Sequence, residues 1–135
     1  MSRENIEILR RADEAFQRGD LTAALADMDE GITASRIAPL PDIKTYEGHE
    51  GMRQMLLDWV EGFDDFAMSA EEYIDVNDRQ VLVRIRQRAQ GTQSGVPIEA
   101  DFWYLYTFRN RKAVRLDVYR SKHQALEAAV LKSHL

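Results

Sequence analysis

Polar and apolar residues alternate along this chain with two different periods, and the change of period divides it. In three segments between the N-terminus and Phe63, apolar residues recur every three or four positions, as one face of a helix requires. Leu9, Ala12, Ala15 and Phe16 form a first stripe, with Ser2 placed to cap the helix and Arg18-Gly19 to end it. Asp20 caps a second, short helix whose stripe is Leu21, Ala24, Leu25 and Met28 and which stops near Gly31. Residues 32–37 are short and β-like, and Pro39 and Pro41 then force a loop. After Gly48 and Gly51 the most regular stripe follows: Met52, Met55, Leu56, Trp59, Val60 and Phe63. Beyond Asp64-Asp65 the period drops to two, predicting strands at 66–75, 80–90, 96–108 and 113–120. The turns fall at Asn77-Asp78, Gly91 to Gly95 and Arg109 to Arg111, and Ala125, Leu126, Ala129 and Val130 predict a C-terminal helix.

Helices followed by consecutive antiparallel strands predict an α+β fold in which a curved sheet carries helices on one face, around an apolar pocket. At 135 residues the chain suits a single domain, 1–135, with one core. A net charge of −5 makes nucleic acid and anionic membrane poor partners. The absence of cysteine excludes disulfides, thiolate catalysis and cysteine metal sites. No apolar stretch approaches the ~18 residues of a membrane span, so the expectation is a cytoplasmic protein that contacts no membrane.

Several stretches, in order, carry a resemblance. They are Ala15-Phe16-Gln17-Arg18-Gly19-Asp20-Leu21, Tyr46-Glu47-Gly48-His49-Glu50-Gly51, Tyr104-Leu105-Tyr106-Thr107-Phe108-Arg109, and Val118-Tyr119 followed by Ala125-Leu126-Glu127-Ala128-Ala129. Together they resemble the nuclear transport factor 2-like superfamily, in its SnoaL-like and ketosteroid-isomerase-like branch, over nearly the whole chain. The resemblance implies a cone-shaped, cystatin-like roll: a strongly bent antiparallel sheet around three helices, with a ligand cavity at its open end and usually a homodimer. The superfamily includes isomerases, cyclases, hydrolases, dehydratases and non-catalytic transport factors, so function must come from the site.

The final hairpin decides which side chains face the pocket. A two-residue loop at Asn110-Arg111 sets Tyr104 opposite Asp117; a three-residue loop, Arg109 to Arg111, sets it opposite Leu116. The second is preferred, because Phe102, Tyr104, Tyr106, Val114, Leu116 and Val118 then share one apolar inner face. It leaves Trp103, Leu105, Arg115, Asp117 and Tyr119 outside, and costs about 1 kcal/mol for Arg111 in a left-handed conformation. An outer patch of Trp103, Leu105 and Tyr119 calls for a covering second subunit, which predicts a homodimer. On strand 80–90, Val81, Val83 and Ile85 point inward and Arg84, Arg86 and Arg88 outward, toward Glu71, Glu99 and Asp101.

Ketosteroid isomerases carry a general-base carboxylate on the strand after the second helix, and residues 32–37 hold none; the second acid's position corresponds to Tyr104. Isomerase chemistry is therefore disfavoured, and no acid is expected to face inward. An epoxide-hydrolase reading through Asp101, Arg115 and Asp117 fails in the preferred register, which points them outside. The candidate ligand-binding residues are Tyr104, Phe102, Trp59, Met55, Phe63 and Leu116, joined at the mouth by Arg36 and Arg120, which suit an anionic group. Tyr104 is also the catalytic candidate, through its phenolic proton. His49, His123 and His134 lack metal-ligand spacing, so neither a metal nor another cofactor is expected, and His49 is read as ordering the turn into the third helix. Two readings remain: an enzyme moving protons on a small hydrophobic molecule, of isomerase, cyclase or dehydratase type, or a non-catalytic ligand-binding or protein-interaction module.

Overall fold

The computed structural model describes residues 2–36, 45–60, 63–91 and 97–133. Pro39, Pro41 and most of the expected Gly91-to-Gly95 turn lie outside these residues, as do the side chains of Arg36, Trp59 and Phe63.

Helix α1 (Ser2–Gln17) ends where Gly19 turns left-handed at φ 79°. The amides of Gly19 and Asp20 reach back to the carbonyls of Phe16 and Ala15, both at 2.9 Å, closing the helix in a Schellman motif. Asp20 then caps α2 (Leu21–Leu25), its carboxylate accepting from the Ala23 amide at 3.0 Å. This second helix is shorter than its stripe suggests. Met28 already belongs to strand β1 (Met28–Arg36), and it remains buried in the same core. A short strand, β2 (Thr45–Glu47), pairs antiparallel with β1 before helix α3 (Gly48–Val60). Gly48 adopts φ 69°, and a Cβ there would meet the Glu30 carbonyl oxygen at 3.0 Å. His49 fixes the same junction: its Nε2–H donates to the Met28 carbonyl at 2.8 Å, the loop-ordering role expected of it.

The remaining strands are β3 (Phe63–Asn77), β4 (Gln80–Gly91), β5 (Pro97–Arg109) and β6 (Lys112–Tyr119), followed by helix α4 (Lys122–Ser133). Phe63 thus opens β3 rather than closing α3, and the β3–β4 turn is Asp78-Arg79, one residue later than expected. The six-stranded sheet runs β2-β1-β6-β5-β4-β3, curved and unclosed. Its pairs are antiparallel except that β1 lies parallel to β6. Helices α1, α2 and α3 pack on the inner face and α4 on the outer one.

The β5–β6 hairpin corrects the expected register while keeping its faces. Arg109 pairs with Lys112, so the loop has two residues, Asn110 and Arg111, with φ of 51° and 63°. Positive φ at both positions is the type I′ turn whose twist suits a hairpin. A bulge then leaves Val114 without an opposite residue, and pairing resumes at Thr107–Arg115, which sets Tyr104 opposite Val118. Turn and bulge together shift the register by two from the expected one, so Phe102, Tyr104, Tyr106, Leu116 and Val118 still face inward. Val114 drops out of that set and is only half-buried.

Trp103, Leu105, Asp117 and Tyr119 lie on the outer face, yet Leu105 and Asp117 are 0% exposed. Ala125 and Ala129 of α4 pack on Leu82, Leu105 and Tyr119 in a second apolar cluster. The patch that called for a second subunit is covered by the chain's own last helix. Beside it runs an ion-pair ladder: Arg84 meets Glu72 at 3.3 Å and Asp101 at 3.4 Å, and Arg86 meets Asp101 at 3.0 Å and Glu99 at 2.8 Å. Glu72 replaces the expected Glu71 because β3 bulges between Ala70 and Glu72. Replacing Arg111 by glycine should raise stability by up to about 1 kcal/mol, since glycine carries no Cβ penalty at positive φ. Urea unfolding measures it, and a loss of stability would contradict the type I′ turn.

Candidate functional site

The inner face of the sheet is wider than the three helices fill, and a cavity of about 120 Å³ remains between them. That is many times the roughly 10–15 Å³ needed to hold one water molecule. Helix α1 contributes Leu9, Ala12, Asp13 and Phe16, and α3 contributes Met52, Met55 and Leu56. Tyr73, Tyr104, Tyr106 and Leu116 close it from the sheet. The wall is overwhelmingly apolar, as small-molecule sites generally are.

Asp13 is the acid that the sequence reading did not place in the pocket. The α1 stripe that buries Leu9, Ala12 and Phe16 necessarily buries the residue between them, because Asp13 stands four after Leu9 and three before Phe16. Its carboxylate accepts from the Gln17 side-chain amide at 3.4 Å and from the Ala70 backbone amide of β3. Gln17 also donates to the Met68 carbonyl at 2.7 Å, so one side chain ties the acid's helix to the strand. Burial pushes the Asp13 pKa above its ordinary value; the two hydrogen bonds oppose this, and the charges of Glu14 and Glu71 add to it. Glu71 stands at the β3 bulge, and Ser69 donates to its carboxylate at 2.9 Å.

Tyr73 and Tyr106 are kept neutral by their surroundings. Burial raises Tyr73 to about 12, reinforced by the charge of Asp13 and opposed by Arg10, whose guanidinium lies 5.3 Å from the ring centroid. Tyr106 is pushed far above the usual phenol range by burial, with further contributions from Tyr104, Tyr73 and Asp13. Tyr104 is buried, and its hydroxyl accepts from the Gln87 side chain at 3.3 Å. The corner formed by Asp13, Tyr73 and Tyr106 therefore offers one titratable carboxyl and neutral hydroxyls facing an apolar space.

Of the residues the sequence singled out, Tyr104, Met55 and Leu116 line this cavity. Phe102 is buried in the inner core outside the lining, and Arg120 stacks its guanidinium 4.3 Å from the Phe102 ring centroid. Arg120 itself is exposed and donates to the Asp101 carbonyl at 3.3 Å, away from the cavity wall. Trp59, Phe63 and Arg36 have side chains outside the described ones. Asp101, Arg115 and Asp117 do not converge on the cavity: Asp101 serves the arginine ladder, and Arg115 donates to Asp117 at 2.9 Å on the outer face. Among the described residues no cluster of three acidic, histidine or cysteine side chains gathers to hold a metal ion. Among the described residues no helix is long and apolar enough to cross a membrane.

The raised pKa of Asp13 has a stability consequence of definite sign. The folded state holds this proton more tightly than the unfolded chain, so the associated stability is present below the ordinary value of 3.8 and is lost as pH rises past it. Asp13→Asn removes that loss. The variant should melt at a higher temperature than the parent at pH 7, with the gap closing near pH 3; thermal unfolding across this range measures it.

The fold has counterparts among known proteins. A protein of the NTF2-like class from Burkholderia pseudomallei superposes with a TM-score of 0.73 at 19% identity, over 92% of this chain and 95% of its own. TerC, co-crystallised with polyporic acid, gives 0.74 at 20% identity, over 92% and 98%. A Catenulispora acidiphila protein of ketosteroid isomerase-like fold, in complex with trimethylamine, gives 0.69 at 13% identity, over 86% of each chain. No curated protein matches the sequence. Residues 9–116 match the SnoaL-like domain from the first helix to the last strand, and the chain belongs to that family.

Proposed function

We propose that this protein binds a small, largely apolar molecule in the cavity between its helices and sheet, and that Asp13 exchanges a proton with the ligand's polar group. The observation that carries this reading is the placement of a single half-buried carboxyl, with an upward-shifted pKa, on an otherwise apolar and tyrosine-edged wall. A carboxyl there holds its proton to higher pH than a solvated one and is a stronger base once ionised. Neutral Tyr73 and Tyr106 supply hydroxyl donors for a ligand oxygen.

With a carbonyl ligand this arrangement supports proton-transfer chemistry of the isomerase, cyclase or dehydratase kind, Asp13 acting as the base. With a ligand that does not react, the same carboxyl is an anchor. Fold relatives co-crystallised with polyporic acid and with trimethylamine support a ligand-binding use of this architecture.

Methyl NMR of Met28, Met52, Met55 and Met68, titrated with cyclohexanone and with toluene, tests occupancy directly. Shifts in these four cavity methionines are expected, and their absence for both probes would contradict the reading. Proton transfer is tested by following deuterium uptake at the α-carbons of cyclohexanone in D2O. Acceleration by the protein, rising with pH through the Asp13 titration and falling about 100-fold in Asp13→Asn, is the catalytic outcome. Methionine shifts without acceleration are the non-catalytic one.

A further inference from the structure

The charge and ring composition of the cavity narrow the ligand's polar group. Among the described residues that line the cavity there is no lysine, arginine or histidine, so a carboxylate or phosphate entering it would meet Asp13 and none of these cations. The field at this corner is negative from both sides: Glu14 on the same helix and Glu71 on β3 both act on Asp13. Tyr73 of β3 and Tyr106 of β5 also face it as neutral phenols, while the lining residues of α2 and α3 do not titrate. Arg10 lies over the Tyr73 ring, 5.3 Å from its centroid, and pairs with Glu7 at 3.7 Å, so the ring it covers is already taken and its charge is partly offset.

The aromatic rings complete the pattern. Phe16, Tyr73, Tyr104 and Tyr106 approach the cavity from a helix and two strands, and the Tyr104 and Tyr106 rings stand 6.3 Å apart at 47°, forming a corner rather than a stack. Ring faces attract cations, more strongly where water is excluded. Tyr73 already holds one, the Arg10 guanidinium. A small apolar cage edged by one acid and several aromatic rings is the chemistry that recognises an alkylated ammonium group.

Resting on the proposed cavity reading, we infer that the ligand is an apolar amine, held as its ammonium form by the Asp13 carboxylate and the rings of Phe16, Tyr104 and Tyr106. A neutral amine would enter the apolar cavity. The O–H bond of the protonated Asp13 would then break as an N–H bond forms, with no net change of charge, leaving an ion pair in which the ammonium donates to the carboxylate. An amine that cannot lose its charge would instead require Asp13 already ionised.

The test compares tetramethylammonium, trimethylamine and the neutral, similarly sized tert-butanol on the intact protein by methyl NMR and calorimetry. Tetramethylammonium should bind about tenfold tighter than tert-butanol at pH 8, the size of a desolvated cation–ring and ion-pair preference. Because this probe does not titrate, its affinity for the unmutated protein should rise with pH through the Asp13 titration and then level off. Asp13→Asn should erase the preference while leaving tert-butanol binding in place. If tert-butanol binds as tightly as tetramethylammonium, or the pH dependence is flat, the amine inference is overturned and the cavity reading stands. If neither these probes nor cyclohexanone and toluene perturb the cavity methionines, both fall together.

Discussion

One geometric constraint governs this molecule: a six-stranded sheet must be apolar on its inner face and must curve around three helices that do not fill it. Alternation along β4, β5 and β6 sends Val81, Val83, Ile85, Tyr104, Leu116 and Val118 inward, where all are buried. Curvature gives that face a concave area that α1, α2 and α3 cover incompletely, and the remainder is the cavity. The outer face solves its own problem twice over, with the Arg84–Arg86 ion-pair ladder along part of it and α4 over Leu82, Leu105 and Tyr119.

The chemistry follows from which residues the concave face and its helices share. A helix packed on a curved sheet buries a stripe more than one residue wide, so α1 brings Asp13 to the apolar space along with Leu9 and Phe16. The local hydrogen bonds from Gln17 and Ala70 hold the carboxyl without fully offsetting its loss of water. The same low-polarity surroundings keep Tyr73 and Tyr106 protonated. Function in this reading is concentrated on one titratable group, and the tyrosines shape what it meets.

Much of the architecture was legible in the sequence because it rests on period alone. The switch from helical spacing to alternation at Asp64-Asp65 marks where the helices give way to the long strands, and it suffices for the fold class. What escaped has specific causes. The bulge at Val114 has no local signature, yet with the two-residue turn it restores the inward set that a three-residue loop was expected to produce. Met28 fits a helical stripe and a strand equally well, and its place was decided by β1 lying beside β6, a long-range contact. The outer aromatic residues looked exposed because strand alternation alone takes no account of α4 packing over them. Asp13 is not where a strand-borne acid would be expected, because it stands on α1. A charged residue flanked at helical spacing by Leu9 and Phe16 was the signal available.

The central claim is that the Asp13 carboxyl faces the apolar cavity rather than bulk water. Carbon-detected NMR titration of its side-chain carboxyl measures this directly. A midpoint above the ordinary aspartate value of 3.8 is predicted; a midpoint at or below it would show a solvated or ion-paired carboxylate and contradict the account.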